Sequence, residues 1–188
     1  MKIVLIRHAK TQCNIEKRYV GRMNEPLCAD GLTQAAALFE SGNLPRPDAL
    51  ISSPYLRCVQ TTEILYPDSA YEINNDLREC DFGIFEGKTH DELLNNEEYT
   101  SWLKSNCLND IPGGESVTAF KLRCRTAFTQ ALGNRPADAT VVFVIHGGCV
   151  MAILEHFSQP KKNFQDYYVH NCEIVVCSYD GMFLKKLK

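Results

Sequence analysis

Two apolar runs, each ending in a histidine, constrain this 188-residue chain more than any other feature. Ile3-Val4-Leu5-Ile6 leads into Arg7-His8, and Val141-Val142-Phe143-Val144-Ile145 leads into His146-Gly147-Gly148. A strand without polar alternation is one covered on both faces, as in the middle of a sheet flanked by helices. In such sheets ligands lie beyond the carboxyl ends of the strands. Each run therefore brings an imidazole to one rim, and the first brings a guanidinium with it. An anion docked there would meet a fixed positive charge and a nucleophile.

Further strands are expected at Ala49–Ser52, Glu173–Ser178 and Met182–Leu187, the last two joined by the hairpin signal Tyr179-Asp180-Gly181. Helices are expected at Thr33–Glu40, Pro54–Leu65, Asp91–Ser105 with a break near Asn95-Asn96, Ser116–Leu132 and Gly148–Phe157. Ser53 and Ser116 are the candidate caps, and Gly133 is a stop. Strands alternating with helices give a single domain over residues 1–188, a three-layer α/β/α fold with a mostly parallel central sheet. The acid-rich stretch from Pro67 to Gly114 reads as a cap-like insertion over the sheet edge, the kind of segment that holds substrate selectivity.

Composition narrows the partners. The net charge is −3 and the basic residues are dispersed, so nucleic acid is not an expected partner. Lys185, Lys186 and Lys188 read as a solvated tail. No apolar run approaches the roughly 20 residues needed to cross a bilayer, and the four apolar residues before Arg7 are too few for a signal-peptide core. The nine cysteines are odd in number and scattered without a C-x-x-C pair, which points to reduced thiols in a cytoplasmic protein and not to a disulfide scaffold or zinc site.

The chemistry-bearing residues gather around the two histidines. Gly147 and Gly148 let backbone approach a ligand and open a helix whose first N–H groups attract anions. Arg57, one turn into the helix after Ser52-Ser53-Pro54, would complete a guanidinium clamp begun by Arg7, since the planar fork matches phosphate oxygens. A metal is disfavoured, because Arg7 repels a cation and no H-x-x-x-H or carboxylate cluster accompanies the histidines. A general acid could come from Glu79, Asp81 or Glu86, and the residues themselves do not choose among the three.

In order along the chain, Arg7-His8 with Asn14, Gly21, Pro26-Leu27, Asp30-Gly31-Leu32, Ser52-Ser53-Pro54-Tyr55-Leu56-Arg57, Leu77 with Glu79, Phe82-Gly83, Glu86-Gly87, Gly113-Gly114-Glu115-Ser116 and His146-Gly147-Gly148 resemble the histidine phosphatase superfamily, the phosphoglycerate mutase-like family. The resemblance covers nearly the whole chain. It implies His8 as the nucleophile that becomes phosphohistidine, and a phosphate pocket of Arg7, Arg57 and a protonated His146. Asn14 and the Gly147 backbone would add hydrogen bonds, and Glu79 would be the acid/base carboxylate. Glu86 and Glu115 then become cap or turn residues. No cofactor is implied. The implied activity is hydrolysis of small-molecule phosphate esters by a monomer or homodimer, with a mutase or a non-catalytic binding module as alternatives. Phosphatase ranks above mutase because the family's mutases resemble longer chains. Short members with a similar layout include α-ribazole-phosphate phosphatases.

The pattern is broken at Ala9-Lys10, where the family has Gly followed by Glu or Gln. A charge reversed at the pocket mouth would alter substrate preference. Phe82, Phe85, Tyr99 and Trp102 read either as core or as the wall of a pocket for an apolar leaving group, and Tyr167, Tyr168 and His170 as ordinary packing or as visitors to the site.

Overall fold

The computed structural model describes residues 1–187. Its centre is one six-stranded sheet in the order β3-β2-β4-β1-β5-β6, built from β1 (Lys2–Arg7), β2 (Ala49–Ser52), β3 (Glu72–Ile73), β4 (Thr140–Ile145), β5 (Ile174–Tyr179) and β6 (Leu184–Lys186). The pairings β3-β2, β2-β4 and β4-β1 are parallel, and those of β5 with β1 and with β6 are antiparallel. Helices α1 (Gln12–Ile15), α2 (Ala29–Glu40), α3 (Leu56–Leu65), α4 (His90–Leu93), α5 (Glu97–Lys104), α6 (Val117–Leu132) and α7 (Gly147–Phe157) complete the fold.

Period-two alternation explains why β1 and β4 are apolar throughout. Ile3 and Leu5, with Val141, Phe143 and Ile145, face one core with α6 and α7, through Phe120, Phe128, Val150 and Ile153. Val4 and Ile6, with Val142 and Val144, face the other, with Ala35 of α2 and Cys58 and Leu65 of α3. The three layers of the expected α/β/α fold are present.

Several local readings change. The helix α2 begins at Ala29, four residues before the expected Thr33, and Gly31 in its first turn lies where a Cβ would be 1.9 Å from the Lys10 carbonyl oxygen. Ser53 does not cap α3, which starts at Leu56 with Tyr55 as its N-cap residue. Ser116 is the N-cap residue of α6 but makes no capping hydrogen bond. The break in the third expected helix falls between α4 and α5, where Asn96 caps α5 through the Tyr99 N–H. Residues 67–114 begin as sheet: β3 pairs with β2, and only the later residues turn back over the rim. Lys185 and Lys186 belong to β6 with exposed side chains, and Lys188 lies outside the described residues.

Among the described residues no helix is long and apolar enough to cross a membrane.

Candidate active site

Strand register assembles the rim. Arg7 pairs with Ile145, and Ser52 with Val144, so the residues that follow, His8, His146 and Ser53, leave three neighbouring strands together. His8 N–H donates to the Ile145 carbonyl at 2.9 Å, and Ser53 N–H to the Val144 carbonyl at 3.1 Å. The two imidazoles meet edge to face, their centroids 5.2 Å apart, and both are buried.

The tautomer of His8 is fixed by its own backbone. Nδ1 lies 2.7 Å from the Ala9 carbonyl oxygen, which can only accept, so Nδ1 carries the proton. The lone pair is then on Nε2. Burial first, and the Arg57 and Arg7 guanidiniums after it, hold the His8 pKa well below the usual 6.5. Thr61 sets this turn: its Oγ1 accepts from Ala9 N–H at 3.0 Å and donates to the Arg57 carbonyl at 2.6 Å. Ala9 is fully buried and its φ lies outside the left-handed region, so the methyl replacing the family's glycine is accommodated without backbone strain.

His146 differs from expectation. Arg57 Nε donates to its Nδ1 at 3.3 Å, and a guanidinium has nothing to accept with, so Nδ1 is unprotonated and the ring is neutral. Nε2–H then donates to Ser53 Oγ at 2.7 Å. Burial and the neighbouring Arg57 push the pKa well below 6.5, which is why this imidazole is not the cation anticipated from the sequence. Arg57 itself is buried: Nη1 donates to the Met23 carbonyl at 2.6 Å, Nη2 to the Gly21 carbonyl at 2.8 Å, and its plane lies 4.8 Å from the Tyr55 ring centroid.

Arg7 is less committed. Nη1 donates to the Val169 carbonyl at 2.8 Å and to the Tyr168 hydroxyl at 3.3 Å, but its buried Nε has no partner among the described residues. An unmet buried donor on a permanent cation is a site prepared for an anion. Gly147 makes room, since a Cβ there would sit 3.3 Å from that Nε. Asn14 is oriented by its neighbours: Oδ1 accepts from Thr11 N–H and from Asn171 Nδ2, both at 3.1 Å, leaving its own Nδ2 as the free donor. Asn171 Nδ2 also donates to the His8 carbonyl at 3.0 Å.

The geometry separates the three acids. Glu79 Oε2 accepts the Gly148 N–H at 2.9 Å and Oε1 the Cys80 N–H at 3.0 Å, which places the carboxyl at the first turn of α7 beside Arg7. Burial raises its pKa above the usual 4.5, outweighing those hydrogen bonds and the arginines. Glu86 instead accepts the N–H groups of Gly21, Arg22 and Phe82, tying the loop after α1 to the segment after Glu79. Asp81 accepts from Gly83 N–H, and Glu115 forms a bidentate pair with Arg123. Glu86, Asp81 and Glu115 are structural in this arrangement.

A cleft of about 410 Å³ opens onto Arg7, Asn14, Glu79 and Gly147. The aromatics divide: Tyr19, Phe82, Trp102, Phe120, Phe164 and Tyr168 line the cleft, while Phe85 and Tyr99 are wholly buried in the core. Lys10 is not among the residues lining this cleft, and its carbonyl accepts from Cys28 N–H beside α2. Tyr168 is the one of the three late aromatics considered from the sequence that reaches Arg7, and Asn171 is a residue that sequence reasoning did not name. Both sit in a loop more than 150 residues after His8, as the separations of 161 and 163 in their hydrogen bonds record, with no local motif to announce them.

Residues 3–185 match the model of the histidine phosphatase superfamily, branch 1. The chain belongs to that superfamily. Among relatives of this chain is a "Probable phosphoglycerate mutase GpmB" of Salmonella paratyphi C, 32% identical, with 95% of this chain and 85% of the relative covered. Among solved structures, a phosphoglycerate mutase from Thermus thermophilus is 30% identical with a TM-score of 0.76, covering 100% of this chain and 99% of that one. An alpha-ribazole phosphatase from Shigella flexneri superposes with a TM-score of 0.86 over 100% of this chain and 95% of that one; at 24% identity it speaks for the fold alone.

Proposed function

We propose that this histidine phosphatase hydrolyses small-molecule phosphate monoesters through a phosphohistidine on His8, without a metal. The observation that carries the reading is the hydrogen bond from His8 Nδ1 to the Ala9 carbonyl at 2.7 Å. It leaves the Nε2 lone pair free for an incoming phosphorus, and the lowered pKa keeps that lone pair unprotonated.

In the first step Nε2 attacks phosphorus in line. The P–N bond forms as the ester P–O bond breaks, and protonated Glu79 gives its proton to the leaving oxygen. Arg7, through Nε and Nη2, Asn14 Nδ2 and the Gly147 N–H are donors positioned for the equatorial oxygens, and each lacks a competing protein acceptor among the described residues. Arg57, anchored by the Met23 and Gly21 carbonyls, stands behind the pocket as a fixed positive charge. In the second step Glu79, now a carboxylate, removes a proton from water. The water oxygen attacks phosphorus, the P–N bond breaks, and neutral His8 and inorganic phosphate result.

A mutase is the second reading, favoured by the names of two relatives. Chain length does not argue against it, since this chain covers 99% of the Thermus protein called a phosphoglycerate mutase. The two readings separate on one assay. Release of inorganic phosphate from small phosphate esters in the presence of EDTA, abolished in His8→Ala, supports the phosphatase. Interconversion of 3- and 2-phosphoglycerate with negligible phosphate release supports the mutase. Wild-type rates in His8→Ala contradict both.

A further inference from the structure

Arg57 is a buried cation, 1% exposed, that forms no ion pair among the described residues. A buried charge is costly unless other groups compensate it. Its two terminal nitrogens are met by carbonyls of one loop, Gly21 at 2.8 Å and Met23 at 2.6 Å. The position of that loop therefore decides where the charge of Arg57 stands.

The same loop is held from its other side by one carboxylate. Glu86 Oε1 accepts the N–H groups of Gly21 and Arg22, both at 2.9 Å, and of Phe82 at 3.0 Å. The Gly21–Arg22 peptide group thus bridges two charges: its N–H donates to the Glu86 carboxylate, and its carbonyl accepts from the Arg57 guanidinium. The amide dipole lies the favourable way round, hydrogen toward the anion and oxygen toward the cation. Hydrogen bonds to ionised groups are the stronger kind, and bonds in a chain polarise one another. Charge on Glu86 therefore strengthens the acceptor on which Arg57 rests.

Two contacts stiffen the arrangement. Asn24 Oδ1 accepts the Leu56 N–H at 2.7 Å, so the loop grips the start of α3 one residue before Arg57. Gly21 packs against the segment after Glu79 so closely that a Cβ would lie 1.7 Å from the Cys80 carbonyl oxygen. Through Gly21, Arg22 and Phe82 together, Glu86 joins the cradle of Arg57 to the stretch that carries the acid.

From these observations we infer that Glu86 is a positioning residue for Arg57: acting through the Gly21–Arg22 peptide, its carboxylate fixes the guanidinium behind the phosphate pocket and is its counter-charge at one peptide's remove. The inference rests on the assignment of that pocket to phosphate, and not on hydrolysis.

The test is a double-mutant cycle on the full chain, read by calorimetric binding of inorganic phosphate and by kcat/KM for a small phosphate ester. Glu86→Gln keeps an acceptor and removes the charge; Glu86→Ala removes both. The dissociation constant for phosphate is expected to rise about threefold in Glu86→Gln and about tenfold in Glu86→Ala. Placed on Arg57→Ala, either substitution should add less than about twofold, because the interaction it removes is already gone. Where Glu86→Ala does not fold, Glu86→Gln alone completes the cycle. If no ester is hydrolysed but phosphate binding shows this coupling, the phosphatase reading fails and the positioning role stands. Phosphate affinity within about twofold of wild type in both Glu86 variants overturns the inference. An equal loss with and without Arg57 also overturns it, since that is the mark of a carboxylate that only braces the fold. Absence of phosphate binding to the wild type overturns it together with the pocket assignment.

Discussion

Glu79 is seated on Gly148: the carboxylate Oε2 accepts the Gly148 N–H at 2.9 Å, and a Cβ at Gly148 would lie 2.4 Å from Oε1. The second glycine of α7 therefore serves the carboxylate directly, and a ligand only through it.

Gly148→Ala should for this reason be a kinetic variant. In an ordinary helix position alanine would stabilise by about 0.5–1 kcal/mol. Here the methyl displaces Glu79, and loss of a positioned general acid costs on the order of 10²-fold or more in rate. The expected result is a fall in kcat with esters of poor leaving groups, a smaller fall with aryl phosphates that leave without a proton, and a thermal midpoint within a few degrees of wild type.

The pH profile follows from two shifts of opposite sign. His8 must be unprotonated to attack, and its pKa is held well below 6.5, so activity persists on the acid side of an ordinary imidazole. Glu79 must be protonated to assist departure, and its pKa is raised above 4.5, so activity declines as pH rises through that raised value. Rates measured across the acid range should show an acid limb displaced well below 6.5, and Glu79→Gln should remove the alkaline limb. An acid limb centred near a free imidazole would contradict the burial argument.

Stability carries a related signature. For His8 and His146 the folded pKa is depressed, so the unfolded chain binds more protons once pH drops below 6.5. The stability they allow is present above 6.5 and is lost as pH falls from there toward the folded values. Urea denaturation between neutral and mildly acid pH should show this loss, and His146→Gln should flatten the slope.

Asn171 is predicted to act as a positioning residue. Its Nδ2 joins Asn14 Oδ1 to the His8 carbonyl. Asn171→Ala frees the Asn14 amide to turn its oxygen toward the phosphate. KM and the inhibition constant for inorganic phosphate should rise by about tenfold, an interaction of about 1.4 kcal/mol, with kcat affected less. Asn14→Ala should show little further loss when combined with it, as coupled neighbours do.

Lys10→Glu restores the family's charge and provides the converse control. Lys10 is not among the cleft-lining residues, and kcat/KM for a panel of esters is expected to stay within about threefold of wild type, as for surface changes generally.

Much of this site is legible in the chain because strand ends are. The apolar runs before His8 and His146 fix two central strands, and parallel register then forces their final residues together. Arg57 is readable for the same reason, one turn after β2. Ser53 is visible at a strand end but reads as a helix cap, since the same hydroxyl suits both a backbone N–H and an imidazole. The charge state of His146 is not legible, because it depends on which atom of Arg57 lies nearest. Tyr168 and Asn171 enter from a loop that only the antiparallel pairing of β5 with β1 brings home.

The central claim is that His8 Nε2 becomes covalently phosphorylated. Rapid quenching of wild type during turnover of a small phosphate ester, followed by mass spectrometry under alkaline conditions that preserve phosphohistidine, tests it directly. The account predicts an acid-labile phosphoryl group on the peptide containing His8, absent in His8→Ala and accumulating in Glu79→Gln with an aryl phosphate. Turnover with no modified His8, or with the phosphoryl group on another residue, would contradict it.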